Sequence, residues 1–266
     1  MNNYSALPDR EEISTAWIEA ARLLRSIKGR ATYNLIYSIT EPSALTSRDA
    51  NIIGKFDDFA LQNGISTTTT VANTIFPLEV YLSGGLIGLF YTYDADVFPK
   101  VKTAWGNYFD RMTRRRNAAG TPMTHDGVVI NPLKTLVEKL KKRVNTSSGS
   151  KNHYEIALDD EAYELSTYLP ERDRNYPRGG PCLSHVSIKL DAGNKIRLTA
   201  FYRSHYYLEK ALGNLIGLAR LQTFIASEVG ASVGPLTCIA SSAVLEDSLP
   251  NLKRQGVEHF LNSILA

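Results

Sequence analysis

The chain has 266 residues, of which 43% are hydrophobic and 21% charged, with a formal net charge of +3. A chain of this size can bury a substantial hydrophobic core without the help of disulfides or bound metals. We expect one domain over residues 1–266 rather than two small ones. The two distant cysteines form no disulfide framework, the small net charge gives no reason to expect a nucleic-acid partner, and no apolar run approaches the roughly 18 residues of a membrane helix. The first residues also lack the layout of a signal peptide, so we expect a cytoplasmic protein without a membrane partner.

The N-terminal third mixes helical and strand patterns. Residues 11–27 carry apolar side chains at helical spacing, with acids early and an arginine late, and predict an amphipathic helix. Residues 31–39 alternate and predict a strand, and residues 65–76 are also rich in residues that favour strands. Residues 76–93 are apolar but broken by glycines, which predicts a short helix and then a glycine loop.

Four segments follow in the second half. Residues 131–144 predict a helix, with proline in its first turn and lysines at its C-terminal end. Residues 154–158 predict a strand, and the polar, proline-broken residues 159–180 predict a loop. The C-terminal residues 249–266 have an amphipathic helical pattern.

Two elements between these define the fold class. Residues 185–204 predict a β-hairpin, because two alternating apolar runs flank the turn sequence D-A-G-N. Residues 212–230 predict a long helix that is apolar on nearly every side, ends at a glycine and must therefore be buried. We expect an α+β protein with a mostly antiparallel sheet packed on this helix.

The sequence RGGPCLSHVSIKL, residues 178–190, places Cys182 at the start of the hairpin, and Arg203 and Ser204 stand at its end. Antiparallel strands bring these ends together. A neighbouring cation lowers the pKa of a thiol and so favours the nucleophilic thiolate, and arginine also binds phosphate with a planar fork. This arrangement suggests covalent chemistry on a phosphorylated substrate. The alternative is a half-buried cysteine that serves as a small hydrophobic residue.

These residues match a known pattern. The pair Pro181-Cys182, a hairpin, the pair Arg203-Ser204 and then Asn214, eleven residues after the arginine and entering a long apolar helix, resemble the thymidylate synthase family. The family's strand motif resembles ALQNGISTTTT here, and its upstream helix motif resembles LEVYLSGG. The resemblance extends over roughly residues 15–245 and is specific over residues 181–240. It implies a thymidylate-synthase-like fold and a homodimer.

The resemblance also implies a reaction and its residues. Cys182 would attack C6 of a pyrimidine nucleoside monophosphate, which makes C5 nucleophilic toward the one-carbon unit of 5,10-methylenetetrahydrofolate. Arg203 and Ser204 would hold the 5′-phosphate. Asn214 would hydrogen-bond the edge of the base. Trapping of the intermediate by hydride gives a methyl product, and trapping by water gives a hydroxymethyl product.

Several departures from the family pattern affect substrate and donor. Where the family has the His and Tyr that bind the sugar, this chain has Val244 and Glu246, and a glutamate can accept hydrogen bonds from ribose hydroxyls. Where the family has its pterin-binding Asp, this chain has Tyr206. The arginine pair that reaches the partner's phosphate is replaced by a segment whose candidate is Lys151. Glu79 lies two residues beyond the place of the family's acid/base glutamate.

These changes favour the branch of pyrimidine nucleotide (CMP or dCMP) hydroxymethylases over ordinary thymidylate synthesis, although Asn214, rather than Asp, is less typical of a cytosine substrate. His205, next to Ser204, is a further candidate for the pocket. The cluster Arg114–Arg116 is interpreted as a solvated loop or as a contact for phosphate or carboxylate. No metal-site spacing occurs in the sequence. Two alternatives stay open: a folate-independent enzyme of the same type, and a catalytically idle nucleotide-binding protein.

Overall fold

A computed structural model of the chain describes residues 4–101, 107–115, 121–146, 150, 152, 154–158 and 182–265. Within these residues a seven-stranded sheet forms the centre, and a separate two-stranded hairpin lies outside it. The strands are β1 (Ser5–Ala6), β2 (Ala31–Ile39), β3 (Thr124–His125), β4 (Val128–Val129), β5 (Tyr154–Ala157), β6 (Leu183–Leu190), β7 (Lys195–Tyr202), β8 (His205–Tyr206) and β9 (Ser232–Val244).

The helical elements of the described residues include two π-helical segments, named π1 and π2 here. They are α1 (Ile13–Ser26), α2 (Ser47–Gln62), α3 (Thr68–Ile75), α4 (Leu78–Ile87), π1 (Gly88–Val97), α5 (Phe98–Val101), α6 (Tyr108–Thr113), α7 (Pro132–Thr146), π2 (Tyr207–Ala211), α8 (Leu212–Val229) and α9 (Arg254–Leu265).

The sheet has the strand order β1-β2-β9-β7-β6-β5, with β8 also paired to β9. The pairs β2–β9, β6–β7 and β5–β6 are antiparallel, and the pairs β1–β2, β7–β9 and β8–β9 are parallel. The α+β class is confirmed, but the expected mostly antiparallel sheet is mixed. The reason is that α8 connects β7 to β9 as a crossover, which makes these two central strands parallel.

Most predicted elements are confirmed. The predicted helices at residues 11–27, 131–144, 212–230 and 249–266 correspond to α1, α7, α8 and α9, and the strand prediction at residues 31–39 corresponds to β2. The predicted hairpin is formed by β6 and β7, and the predicted strand at residues 154–158 by β5. The helix α8 ends, as its glycine indicates, where Gly230 takes a left-handed conformation (φ 72°). The predicted loop at residues 159–180 lies outside the described residues.

The strand-like stretch at residues 65–76 is helix α3 instead. The Thr67 side chain caps this helix by accepting from the backbone N–H of Thr70, and the carboxylate of Asp57 accepts from the Thr68 backbone and hydroxyl. Helix α3 packs closely against α8, so capping and tertiary contact override the strand preference of a threonine-rich sequence. Likewise, Gly85 does not open a loop but kinks α4, with φ 55°.

Strand β9 is central in the sheet although it contains Pro235, which has no backbone N–H to donate to a neighbouring strand. The structure resolves this with a bulge: the register between β7 and β9 shifts between Ile196 and Leu198. The buried amide nitrogen of Gln222 on α8 donates to Ile196 O at 2.7 Å and to Gly234 O at 2.8 Å. The amide thus pairs carbonyl groups at the interrupted ladder.

The buried apolar residues of the described segments form one cluster between the sheet and the helices. Helix α8 is its centre, with thirteen of its residues buried, and the indole of Trp17 on α1 donates to Tyr207 O at 3.0 Å just before it. The run Thr68–Val101 is, by length and composition alone, long and apolar enough to cross a membrane. It consists of four elements, α3, α4, π1 and α5, with a break between Ile75 and Leu78 and a kink at Gly85. The absence of a membrane partner stays a prediction, as does the single domain over residues 1–266.

Candidate active site

Cys182 and Arg203 lie beside each other at one end of the hairpin. In the antiparallel pairing of β6 and β7, Leu183 stands opposite Tyr202, and the next backbone N–H, that of Arg203, donates to Cys182 O at 2.9 Å. The hairpin pattern therefore located these neighbours correctly. Cys182, Arg203 and Ser204 are all half-buried, so none of them is sealed into the core.

Two tyrosines that sequence reasoning missed lie next to Cys182. Tyr108, on the short helix α6, is 5% exposed, and its hydroxyl interacts with the backbone of Cys182 and Leu183. Burial raises the pKa of Tyr108, and proximity to Cys182 raises it further. Tyr108 is therefore a neutral phenol at physiological pH. Its position follows from α6, whose place beside the hairpin no local sequence pattern indicates.

Tyr202 is the second missed residue. It is fully buried at the end of β7, and within the described residues its hydroxyl has no hydrogen-bond partner. Burial raises its pKa well above the ordinary value, and Tyr108, Cys238 and Cys182 are close enough to raise it further. A buried hydroxyl without a hydrogen-bond partner lowers the stability of the fold. Its presence close to the Cys182 thiol therefore makes Tyr202 a candidate for a role in the site.

His205 and Asn214 are buried and form one group with Tyr202, next to the end of the hairpin that carries Cys182. The imidazole stacks on the Tyr202 ring with centroids 4.1 Å apart, and its Nε2 lies 3.1 Å from the amide nitrogen of Asn214. Burial lowers the pKa of His205 to about 3, so the ring is neutral. When the Asn214 amide donates to Nε2, the imidazole proton lies on Nδ1 and faces Cys238 Sγ at 3.9 Å.

Cys238, the second thiol, is fully buried on β9. Burial raises its pKa to about 12, and a hydrogen bond with Tyr37 opposes that shift only in part. It therefore stays protonated, which leaves the half-buried Cys182 as the thiol suited to nucleophilic chemistry.

Glu246 has partners that differ from those expected of a sugar-binding residue. Its two carboxylate oxygens accept from the backbone N–H groups of Leu208 and Glu209, each at 2.9 Å, at the start of π2. This places the carboxylate at an N-terminal end of a helical segment, where unpaired N–H groups need an acceptor. Burial nevertheless raises the pKa of Glu246 to about 7. Capping accounts for its position, and a role in binding ribose stays a prediction.

Glu79 lies on the exposed first turn of α4 and interacts electrostatically with Arg220 on α8, whose Nη1 donates to Asn73 Oδ1 at 3.2 Å. Arg220 follows Asn214 by six residues, about 9 Å along the helix axis. This interaction places Glu79 beside a residue of α8 that lies nearly two turns beyond Asn214, and its role as the acid/base glutamate stays a prediction.

The remaining candidates for anion binding are Lys151 and the arginine cluster at residues 114–116. Lys151 lies outside the described residues, as does Arg116. Arg114 is buried and pairs with Asp94 at 2.8 Å, so it joins α6 to π1 and does not form a free anion contact. Within the described ranges, no group of three or more His, Cys, Asp and Glu residues could hold a metal ion.

The chain is similar to a known protein over one segment. No model of a protein family matches the chain. Over 67 residues, the chain is 37% identical to a protein of Methanosarcina barkeri named "Putative thymidylate synthase". The match covers 25% of this chain and 30% of the relative, so the chain spans less than a third of the protein it matches. The similarity supports the thymidylate synthase family over that segment.

Proposed function

We propose that the protein is an enzyme of thymidylate synthase type, which transfers a one-carbon unit to C5 of a pyrimidine nucleoside 5′-monophosphate, with hydroxymethylation favoured over methylation. One observation carries the proposal: the backbone N–H of Arg203 donates to Cys182 O, so the half-buried Cys182 stands opposite Arg203 across the hairpin, with Ser204 the next residue along the chain. The similarity to the named archaeal protein supports the same reaction class.

In the proposed reaction, the thiolate of Cys182 adds to C6, and the electron pair of the C5–C6 double bond moves toward C5 and, through C4, onto O4 of a uracil or N3 of a cytosine. This makes C5 nucleophilic. After C5 has bonded to an electrophile and lost its proton, the thiolate leaves C6 and the double bond returns. Arg203 favours the thiolate by its charge and, with Ser204, binds the phosphate. Tyr108 positions the reactive residue through its contact with the Cys182 backbone.

The fit to methylenetetrahydrofolate is incomplete. That donor would supply the carbon at the oxidation level of formaldehyde, and its pterin is best held by a carboxylate. Tyr206, a phenol, stands where the family has such a carboxylate, and Glu79 interacts with Arg220 on another part of α8. For this reason we derive no step through the donor. The same observation favours a second candidate function, a folate-independent reaction that still begins with Cys182 addition to C6, such as exchange of the C5 hydrogen.

Release of tritium from [5-³H]-labelled CMP, dCMP, UMP and dUMP tests both candidates. Release that needs methylenetetrahydrofolate supports one-carbon transfer, and release without it supports the second candidate. Cys182→Ala should abolish release, whereas Cys238→Ala, which removes the other thiol, should retain most of it. No release from any of the four nucleotides, or equal release by the Cys182→Ala enzyme, would refute the proposal and favour an idle nucleotide-binding protein.

We also propose that the protein is a homodimer formed through the face of the sheet that α8 leaves uncovered. Side chains on that face alternate with the buried ones, and they include Phe201, which is 38% exposed, and the half-buried Thr199, Thr237 and Ile239. These central side chains are uncharged, whereas charged side chains of the same face, such as Glu155 and Lys189, lie on β5 and β6, so the proposed interface is centred on β7 and β9. Light scattering coupled to gel filtration should give a dimer for the natural chain and a monomer for Phe201→Glu. A monomeric natural chain would contradict this proposal.

A further inference from the structure

A second polar site lies on the helical side of the molecule, where α1 ends, β2 begins and α9 starts. A cavity of about 570 Å³ opens there. Four of its lining side chains are cationic and two are anionic, so the cavity carries an excess of two positive charges. The charged lining residues are Arg25, Lys28, Arg30, Arg254, Asp247 and Glu258.

Arg30 is the buried base of this cavity. Its side chain is 7% exposed and pairs with Asp247, from Nε at 3.0 Å, and with Glu258. Its Nη1 is buried, and no described residue provides it with a hydrogen-bond partner. A guanidinium with an unused donor retains binding capacity for an oxygen ligand.

The backbone directs this side chain inward at some conformational cost. Gly29 and Arg30 both have positive φ, 82° and 51°, and the left-handed conformation is unfavourable for a residue with a side chain. The Arg30 backbone is nonetheless fixed on both sides, since its N–H donates to Ile27 O and its carbonyl accepts from Leu245 N–H, each at 2.9 Å. The turn thus holds a charged side chain at a buried position that it would not adopt in a free loop.

The surrounding carboxylates neutralise this cluster only in part. Glu258 is shared, because it pairs with Arg25 at 2.6 Å as well as with Arg30. Asp247 lies 3.9 Å from the largely exposed Arg254 as well as 3.0 Å from Arg30. Lys28, exposed at the rim, has no ion pair with a described residue. Two carboxylates therefore neutralise only two of the four cationic side chains, and a ligand with two negative charges would neutralise the other two.

We propose that this cavity binds a phosphate group, with Arg30 at its base and Lys28 and Arg254 at its rim. Inorganic phosphate and a phosphomonoester share the required chemistry, three or four oxygens and up to two negative charges. The site is separate in its residues from Cys182 and Arg203, so it stands whether or not the protein is a nucleotide-modifying enzyme.

The test is isothermal titration calorimetry of the full chain with inorganic phosphate and with glycerol 3-phosphate, at constant ionic strength set with sodium chloride. Arg203→Ala serves as the background, which removes phosphate binding at the candidate active site. The test variant adds Lys28→Ala and Arg254→Ala, both exposed residues. The matched control adds Lys253→Ala, which removes an exposed cation next to Arg254 that does not line the cavity.

We expect the double rim variant to bind phosphate about tenfold more weakly, since two partly exposed charge contacts are lost, and the Lys253 control to bind it unchanged. Equal affinity for the two ligands supports a site for the free ion, and tighter binding of glycerol 3-phosphate supports a site for a phosphomonoester. Absence of binding in the background chain, or equal weakening in the rim variant and the control, would overturn the proposal. If circular dichroism shows that Arg203→Ala does not fold, the comparison is made in the otherwise natural chain, where the rim variant should weaken one of the two phosphate sites about tenfold and leave the other unchanged.

Discussion

Replacement of Gly217 by alanine should destabilise the protein, although alanine is the better helix former. Gly217 lies on α8 where this helix crosses α3, and a Cβ there would stand 2.8 Å from Ala72 O and 3.0 Å from Ile75 Cβ. Both distances are shorter than ordinary contact, and one of the partners is backbone, so the helices must separate. Overpacking of this kind costs about 1–3 kcal/mol, against a gain of about 1 kcal/mol in helix propensity. The net loss in the free energy of unfolding is then between zero and about 2 kcal/mol, and we expect a value near the upper end because one of the crowded atoms is a backbone oxygen.

The same substitution at Gly54 is the matched control. Gly54 lies exposed within α2, and a Cβ there has no heavy atom within 4 Å, so Gly54→Ala should stabilise the protein by about 0.5–1 kcal/mol. Urea unfolding followed by circular dichroism measures both changes, with the slope m expected to stay constant. A Gly217→Ala protein as stable as the natural one would refute the inference that a glycine contact sets the spacing of α3 and α8.

Three further predictions concern the candidate site. Ellman's reagent at pH 8 should modify one thiol quickly and lose that phase in Cys182→Ala, because Cys238 is buried with a pKa of about 12; comparable rates for the two thiols would contradict this. The folded-state pKa of Glu246, about 7, exceeds its ordinary value of 4.5, so its contribution to stability, up to about 3 kcal/mol, should be complete below pH 4.5 and disappear as the pH rises through 7. Glu246→Gln should flatten that part of the stability–pH curve, and an unchanged curve would show that another group titrates. Tyr202→Phe, which removes a buried hydroxyl with no partner among the described residues, should change stability by less than about 1 kcal/mol, whereas a loss of several kcal/mol in thermal or urea unfolding would reveal a partner.

The local patterns of the sequence located the hairpin and the buried helix correctly, and with them the pairing of Cys182 with Arg203. The alternation of apolar and polar residues and the choice of turn residues act within about twenty residues, so a single sequence is enough to recognise them. The helix at α3 was misjudged because its threonines favour strands in isolation, and only the caps at Thr67 and Asp57 and the contact with α8 reverse that preference.

The candidate site was less predictable than the fold. Tyr108 and Tyr202 carry no distinctive motif, and their proximity to Cys182 arises from packing between segments distant in sequence. For Glu246, an alignment of motifs suggested a sugar contact, whereas the structure gives it backbone partners at the start of π2. The sequence could not indicate this capping, because Glu246 and the start of π2 are at least 37 residues apart and come together only in the folded protein.

The position of β9 has a consequence for how the chain is made. This strand pairs on one side with β2 near the N-terminus, Ala31 opposite Val244, and on the other with β7. A nascent chain on the ribosome therefore holds one edge of β2 and one edge of β7 unpaired until Ser232–Val244 has emerged. Such edges invite association with other chains, so production of the protein should depend on chaperones and on slow synthesis more than its modest size suggests.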